Sequence, residues 1–556
     1  MIGRRARHLT GVDPIEQRGP VQPTRSPLWQ VLVLLLFAAQ PTFAIESVDL
    51  PLDHWAYEML ERFEVRAGLT RTGLETRPLR RGQVARLVRQ LLDGAARADW
   101  TPTRIETAQL EMLQEEFSAE LVAQGSAVPV LDRAYHHWTG TDWEFQLQFF
   151  AIQEASHANM DRTSDFAQTD LRLAFEPQAG LVLRRDFAGW ARVSLIRRTS
   201  DGVLRNSTDP AAGEAEYVFD TRDRVSFTRR VEPYVRYLRG PVMVDLGRER
   251  LRWGPGRHNG MLLLNETPPL DLLRLELDFG WIRFAHVAGQ LRPAQLEDDD
   301  PALVEKYMAA HRLVLQVHRR FLIGVAESVV YGDRGLDLTY LNPINVFYVA
   351  QANVGDHDNA LGSVDAKLVL PNLELYGELL VDDLNLRRGL DHFGNKLGVL
   401  GGFLWLRPFG ASDWDLDGEW SWASQFTYTH QIPINRYEHY GSTLGSRTGP
   451  DSDLWVAGLR RRFSRGWSAR MFYALERHGA GGLATDQDER PDDSQDYLSG
   501  TVESVHQPGL EIRYQGLRNV ELFVDTRYLH VTNPANDATR AALDQMAVRA
   551  LARVEF

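Results

Sequence analysis

From about Trp143 to the C-terminus, apolar and polar residues alternate along the chain with a period of two. In residues 143–149, Trp, Phe, Leu and Phe alternate with Glu, Gln and Gln, and similar alternation returns at 171–175, 419–428 and 510–515. Successive side chains of a β-strand point to opposite faces, so each segment has one apolar face and one polar face. The pattern predicts strands that each place one face against an apolar layer.

Before residue 143, apolar residues recur at helical spacing. Three stripes begin at Leu60, Val84 and Ile105, and we expect their helices to end at Gly68, Gly94 and Gly125. This spacing predicts three short amphipathic helices. We therefore divide the chain after its leader into a helical domain over residues 45–130, predicted to lie in the periplasm, and a β region over residues 131–556.

The first residues have the pattern of an export signal. An arginine-rich stretch over residues 1–30 leads into the apolar run 31–39, which is too short to span a bilayer comfortably. Small residues follow at Thr42 and Ala44, as a signal peptidase requires. We predict a signal peptide over residues 1–44 with cleavage after Ala44; the alternative is an uncleaved anchor helix. The mature chain is then periplasmic, secreted or a barrel in the outer membrane.

Two features favour lipid as the cover of the apolar strand faces. Aromatic residues lie near segment ends, where the interfacial girdles of barrels are found. They are Trp143, Trp253, Trp281, Tyr348, Trp405, Trp414, Trp467 and Tyr528. The last strand alternates up to Phe556, and a terminal Phe resembles the signal by which outer-membrane barrels are recognised. The predicted fold class is mainly β, a transmembrane antiparallel barrel of about 16 to 18 strands preceded by a small helical domain.

Composition removes several classes of protein. The 556 residues carry a net charge of −13 and include no cysteine. Zero cysteine excludes a disulfide scaffold, a thiolate zinc site and a cysteine nucleophile. The acidic balance argues against nucleic acid as a partner, because phosphate binding requires clustered Lys and Arg.

The most distinctive motif spans residues 245–260 and reads Asp-Leu-Gly-Arg-Glu-Arg-Leu-Arg-Trp-Gly-Pro-Gly-Arg-His-Asn-Gly. Tyr-Leu-Asn-Pro-Ile-Asn follows at 340–345, Asp-His-Asp-Asn at 356–359 and Asp-Asp at 382–383. Together these motifs resemble the capsule-assembly Wzi family. The resemblance implies an outer-membrane β-barrel that binds surface polysaccharide as a lectin does and helps to attach capsule to the cell.

Sugars are bound by planar hydrogen-bonding groups and by aromatic rings that stack on the sugar face. The motifs supply a set of such residues as candidate polysaccharide ligands. They are Arg248, Trp253, His258, Asn259, Asn342, Asp356, Asp358, Asn359, Asp382 and Asp383, with Glu249 beside them. The alternative is structural: the charged residues would form ion pairs in the lumen and Trp253 would belong to the aromatic girdle.

The predicted helices contain a second resemblance. His-Trp-Ala-Tyr-Glu at 54–58, Ala-Gly-Leu at 67–69 and Arg-Pro-Leu-Arg-Arg-Gly-Gln-Val-Ala-Arg-Leu at 77–87 resemble a single S-layer homology repeat. That resemblance implies binding to cell-wall polymer. The alternative is a helical plug or cap that packs on the barrel.

Neither an enzyme nor a resident metal is predicted. Asp356, Asp358 and Asn359 offer oxygen ligands for Ca²⁺, but they lack the twelve-residue loop with its distant Glu. Neither the His-Glu-x-x-His motif nor the Gly-x-Ser-x-Gly elbow occurs in the sequence. We expect no cofactor, and we expect polysaccharide and outer-membrane lipid as partners. The remaining alternative is a porin-like passive channel for small polar solutes.

Overall fold

The computed structural model describes residues 48–68, 73–129, 136–158, 168–184, 186–200, 217–222, 225–258, 262–266, 268–295, 302–354, 357–384, 392, 394–485 and 496–556. All of these residues belong to one structural unit, Pro41–Phe556. The predicted signal peptide over residues 1–44 lies outside the described residues.

The β region forms a closed antiparallel barrel of 18 strands, counted over the part of the chain just given. The strands are β1 Trp143–Ala158, β2 Gln168–Leu183, β3 Phe187–Ser200, β4 Val225–Arg239, β5 Val242–Glu249, β6 Leu270–Asp278, β7 Ile282–Gln295, β8 Leu303–His318, β9 Phe321–Gly332, β10 Asn359–Leu370, β11 Leu373–Asp383, β12 Lys396–Leu406, β13 Trp414–Ala423, β14 Ser452–Arg462, β15 Trp467–His478, β16 Glu503–Leu517, β17 Val520–Thr532 and β18 Leu543–Glu555. The last strand pairs with the first from Ala547 opposite Ala158 to Glu555 opposite Phe150. This pairing closes the barrel, and the fold class predicted from the sequence is confirmed.

The strand faces follow the period-two pattern. Val235, Leu246 and Leu273 lie side by side on β4, β5 and β6, and they are 59%, 61% and 42% exposed. Their alternating neighbours, which include Arg236 and Asp245, are buried and face the lumen. Such an apolar outer surface is stable in hydrocarbon and costly in water, so the chain has the construction of an outer-membrane barrel.

The two ends of the barrel differ. At the short-turn end, strands are joined by tight connections such as Arg239 to Val242 and Leu370 to Leu373. At the long-loop end, the connections include residues 333–358 and 424–451. One predicted strand is affected by this arrangement: β13 ends at Ala423, and Phe426 and Tyr428 enter a long connection instead of continuing the alternation.

Helices precede the barrel, as predicted. They are α1 Ala56–Ala67, α2 Arg81–Ala96, α3 Arg104–Glu116 and α4 Ser118–Ala123. Their apolar faces form one buried core that includes Leu60, Phe63, Val88, Leu113 and Phe117.

The predicted helix ends need two corrections. Gly68 ends α1 in the left-handed conformation, as expected, with φ of 66°. Gly94 does not end α2, because it lies within the helix and allows Trp100 to approach; a Cβ there would lie 3.3 Å from Trp100 Nε1. The third predicted stripe is divided at Phe117, where the backbone leaves helical geometry between α3 and α4.

Two further helices lie in the connection between β9 and β10. They are α5 Leu338–Leu341 and α6 Phe347–Val354. Among the helices that the structure describes, none has both the length and the apolar character needed to cross a membrane.

Candidate functional site

The lumen beside β6–β13 is filled with apolar side chains from two long connections. Trp253, in the connection between β5 and β6, is 2% exposed and lies in the same core as Leu262 and Leu263. The hydroxyl of Tyr428 donates to the Leu262 carbonyl at 2.6 Å, and that of Tyr437 donates to the Leu263 carbonyl at 2.8 Å. These hydrogen bonds join the 424–451 connection to the 250–269 connection inside the barrel.

The N-terminal helices fill the short-turn end. Arg66 Nη1 donates to Asn372 Oδ1 at 2.8 Å, and the Gln109 amide donates to the Arg465 carbonyl at 3.5 Å. Asn372 and Arg465 both lie in short turns. The helices therefore contact turns on separate parts of the barrel rim.

Glu106 is the ionic centre of this contact. Its carboxylate lies 2.8 Å from both Arg62 Nη1 and Arg66 Nε and 3.1 Å from Arg407 Nη2, and Arg407 lies in the β12–β13 connection. Its Oε2 also accepts the Thr103 N–H at 2.8 Å, which forms a capping box at the start of α3. Burial raises the pKa of Glu106, but the hydrogen bond from Arg66 and the charge of Arg62 outweigh burial and lower the pKa to about 2.

A buried cluster of three charged residues joins α1 to the barrel wall. Lys367 Nζ, on β10, lies 2.7 Å from Glu64 Oε2 and also contacts the carboxylate of Glu75. All three side chains are at least 96% buried. Buried charges require partners, so this cluster fixes the position of α1 inside the lumen.

A three-carboxylate cluster lies beside β4–β6. Asp49, Asp245 and Glu249 present oxygens within 4.8 Å of one another, which is close enough for a cation. Two guanidinium groups already lie among them: Arg236 is 2.6 Å from Asp245, and Arg274 is 3.1 Å from Glu249. Arg236 and Arg274 also pair with Asp49, so the cluster attaches the segment before α1 to strands β4 and β6 of the barrel.

The lumen beside β1–β4, β17 and β18 has a different lining. Seven of its inward-facing charged residues, towards the long-loop end, are what we call the charged wall: Glu154, Asp170, Arg172, Arg198, Asp525, Arg527 and Arg549. Arg549 Nε lies 2.5 Å from Glu154, Arg198 Nη2 lies 2.8 Å from Asp170, and Arg527 Nη2 lies 2.7 Å from Asp525.

The arginines of the charged wall keep contact with solvent. The side chains of Arg549, Arg527, Arg172 and Arg198 are 50%, 35%, 28% and 26% exposed. Ion pairs that retain solvent contact exchange partners at small energetic cost. Arg549 and Arg198 can therefore donate hydrogen bonds to a polar ligand, because the carboxylates they would leave, Glu154 and Asp170, are each 18% exposed.

Two adjoining cavities lie nearer the short-turn end of these strands, beside the N-terminal segment. They measure about 790 and 880 Å³, including solvent-open space, and share Asp49, Pro51, Asp53, Trp190 and Arg192 in their lining. The first cavity adds the amides of Gln146, Gln148 and Gln178. Amides, guanidinium groups and an indole are the groups that bind sugar hydroxyls and ring faces.

The residues predicted from the motifs are not gathered in one place. Arg248 lies opposite Asp271 in the β5–β6 register, on the outward face with Leu246. Trp253 is buried in the luminal core and does not belong to the girdle, which corrects the alternative role given to it. His258 lies in the lumen, where its Nε2 is 2.8 Å from Asp417 Oδ2.

The other predicted residues hold loops at the long-loop end. Asp358 accepts hydrogen bonds from Arg334 Nη1 at 2.9 Å and from the Tyr340 hydroxyl at 2.6 Å. Asn359 donates to the Asn435 carbonyl at 3.0 Å, and the exposed Asn342 accepts the Ile344 N–H at 3.2 Å.

The Asp-Asp pair at the end of β11 is divided between two contacts. Asp382 accepts the Tyr428 N–H at 2.7 Å, whereas Asp383 lies 2.8 Å from Lys396 Nζ. Asn259 and Asp356 lie outside the described residues. The polysaccharide contacts assigned to the predicted set therefore remain predictions.

The charged wall was missing from the predicted set. Its signal was present in the sequence, because Arg172 and Arg549 occupy polar positions in alternating strands. Alternation gives the face of a residue, but it does not show which part of the lumen other segments fill.

Comparison with known proteins agrees with this architecture. The family model of the capsule assembly protein Wzi matches residues 155–545. The chain belongs to the Wzi family. No curated protein matches its sequence.

Several solved structures are similar to this Wzi-family chain. One is Wzi from Escherichia coli, with 15% identity, a TM-score of 0.52, and coverage of 92% of this chain and 100% of that one. It is described as an outer-membrane, carbohydrate-binding β-barrel involved in group 1 capsule assembly. OprD from Pseudomonas aeruginosa has 8% identity, a TM-score of 0.41, and coverage of 74% and 95%. OpdQ from the same species has 8% identity, a TM-score of 0.43, and coverage of 74% and 98%.

Proposed function

We propose that this Wzi-family barrel binds capsular or extracellular polysaccharide at the outer membrane and aids its assembly and attachment, without catalysis. The observation that carries the proposal is the division of the lumen. Helices and apolar loops fill one part of it, while the β1–β4 side retains a solvent-exposed charged wall and an amide-lined cavity. Membership of the Wzi family and the carbohydrate binding described for the Escherichia coli protein support this function.

The binding site that we propose is the charged wall together with the two cavities that share Trp190. A polymer offers the same groups at every repeat, so modest contacts at each unit add up to considerable avidity. Those members of the predicted ligand set that lie at the long-loop end remain part of the proposal. Asn342 and Asp383 are the exposed described members of that set.

The test is binding of the purified, detergent-solubilised barrel to polysaccharide isolated from the surface of the source strain. Arg198→Gln and Arg549→Gln each remove one guanidinium from the charged wall, and Arg540→Gln removes an exposed one from the β17–β18 connection as the matched control. We expect the two wall variants to bind severalfold more weakly and the control to bind as the wild type does.

Unchanged binding in both wall variants would place the polysaccharide elsewhere. Variants are compared only when they migrate as folded, heat-modifiable barrels. In cells, deletion of the gene is expected to release surface polymer into the medium. Full retention of polymer in the deletion strain would contradict a role in attachment.

The proposal also covers the N-terminal region. The short turns of bacterial barrels face the periplasm, so the contact of the helices with those turns supports a periplasmic position for the domain predicted over residues 45–130. The S-layer homology resemblance of residues 54–87 assigns them cell-wall polymer as an additional ligand. Co-sedimentation of the protein with purified peptidoglycan sacculi tests this role. If the protein does not co-sediment, the helices do not bind cell-wall polymer and their role is limited to packing on the barrel.

A porin-like channel is the competing function. The 16 to 18 strands predicted for the barrel would enclose a water-filled lumen if nothing occupied it. The luminal core around Trp253 and the helices at the short-turn end occupy much of that space. This filling favours the binding function over free diffusion.

A further inference from the structure

The connection between β9 and β10 lies against the outside of the barrel. Tyr340 of α5 and Phe347 and Ala350 of α6 form one buried cluster with residues of four neighbouring strands. Those residues are Ala288 of β7, Ala309 of β8, Val329 and Tyr331 of β9, and Ala360 of β10.

Strand alternation shows that this cluster is outside the lumen. Val329 and Val325 share a face of β9, and Val325 is 46% exposed. The intervening face includes Ala326 and Val330, which belong to the luminal core. On β10, Ala360 shares its face with Val364, which is 50% exposed.

The surface of this connection that faces away from the barrel is apolar. Six of its apolar residues within 336–349 are at least half exposed. They are Leu336 at 56%, Leu338 at 79%, Ile344 at 88%, Val346 at 50%, Tyr348 at 64% and Val349 at 62%. An apolar patch of this extent on a protein surface indicates contact with a partner or a membrane.

Beneath α6 the outward face of the barrel carries polar groups. His311 Nε2 lies 3.2 Å from Glu327 Oε2, and that oxygen also accepts the Phe347 N–H at 2.9 Å. The neighbouring His286 is 3% exposed. Imidazole and carboxylate groups are costly against hydrocarbon, so α6 shields them from lipid.

The patch continues a lipid-facing row. Val325, Val364 and Leu379 lie side by side on β9, β10 and β11, and they are 46%, 50% and 46% exposed. Val329 follows Val325 on the same strand face and is covered by the connection. The connection therefore hides part of the apolar strand surface, and its exposed residues within 336–349 present a new apolar surface in its place.

We propose that residues 336–349 are a membrane-embedded segment whose exposed side chains insert among the acyl chains of the outer leaflet. The proposal requires that the barrel be in a membrane, as the proposed function has it. The acyl chains are the occupant because the patch is continuous with the lipid-facing row. Its members also vary in shape, and a fluid partner accommodates such a surface.

The absence of cysteine from the sequence makes this proposal directly testable. Ile344→Cys, in the full-length barrel reconstituted into liposomes, carries a single nitroxide label. Collision of the label with molecular oxygen, which concentrates in hydrocarbon, is compared with collision with a water-soluble nickel chelate. Val364→Cys is the control on the barrel's lipid-facing surface, and Ala538→Cys, in the exposed β17–β18 connection, is the aqueous control.

We expect the label at residue 344 to collide severalfold more often with oxygen and severalfold less often with the chelate than the label at residue 538. Free chelate access at residue 344 would overturn the proposal in favour of a water-exposed loop. Low access to both reagents would overturn it in favour of a protein partner or a second copy of this chain. Val349→Cys repeats the measurement on α6, and chelate access at residue 364 would contradict the membrane location instead.

Discussion

Trp253 and Thr76 lie opposite each other in a short antiparallel pairing inside the barrel. The Gly254 N–H extends this pairing by donating to the Glu75 carbonyl at 2.7 Å. Thr76 belongs to the segment between α1 and α2, whereas Trp253 belongs to a connection from the long-loop end. Elements that enter the lumen from its two ends thus meet in one backbone ladder.

This position predicts a structural role for the Trp253 ring. Trp253→Ala removes a side chain that is 2% exposed, and truncation of a buried aromatic residue costs about 3–5 kcal/mol. Urea unfolding of the refolded barrel should show that loss. Trp281→Ala, at a ring that is 59% exposed, is the control with a smaller loss. A stable Trp253→Ala protein that has lost polysaccharide binding would contradict this prediction and support the role predicted from the motif.

The contact between the helices and the barrel rim should weaken in acid. The pKa of Glu106 is about 2 in the folded protein and 4.5 in its ordinary state, so this group stabilises the fold fully above pH 4.5. The stabilisation, at most about 3 kcal/mol, is lost as pH falls from 4.5 towards 2. Protease cleavage between α1 and α4 is expected to accelerate over that interval.

Glu106→Gln should reproduce part of the acid effect at pH 7, because the amide cannot satisfy Arg62, Arg66 and Arg407 as a carboxylate does. Glu111→Gln, on the exposed face of the same helix, is the matched control. Protection of the helices is measured with a neutral protease at pH 7 and with an acid-active protease at pH 3. Equal protection at the two pH values would contradict the stabilising role given to Glu106.

The filled lumen predicts little steady current. Wild-type barrels in planar bilayers should conduct weakly, because the helices occupy the short-turn end and apolar loops pack around Trp253. Deletion of residues 48–129 should raise the conductance severalfold. Large, stable conductance by the intact protein would instead support the porin-like alternative.

The leader predicts the N-terminus of the exported protein. Cleavage after Ala44 leaves Ile45 as the first residue, three positions before the first described residue, Val48. Edman sequencing or intact-mass analysis of protein purified from outer membranes tests this directly. Retention of residues 1–44 in that protein would support the uncleaved anchor.

Alternation in the sequence predicted the strands and the two faces of each, and the aromatic positions, the terminal Phe556 and the length of the β region extended this to a barrel with a strand number in the correct range. These properties depend on local geometry, because a period of two assigns every strand residue to a face whatever its neighbours are. Helical spacing likewise predicted the N-terminal helices. It did not predict their ends at Gly94 and Phe117, where contact with Trp100 and a local change of backbone decide.

The contents of the lumen were decided by tertiary structure alone. Trp253 and Tyr428 read as strand or girdle residues in the sequence, yet both are buried inside the barrel because long connections turn inward. Arg549 reads as one charged residue among many, and only the placement of these connections leaves it beside a solvent-exposed wall. A sequence records which face a side chain takes, whereas the space left at that face depends on segments distant in the chain.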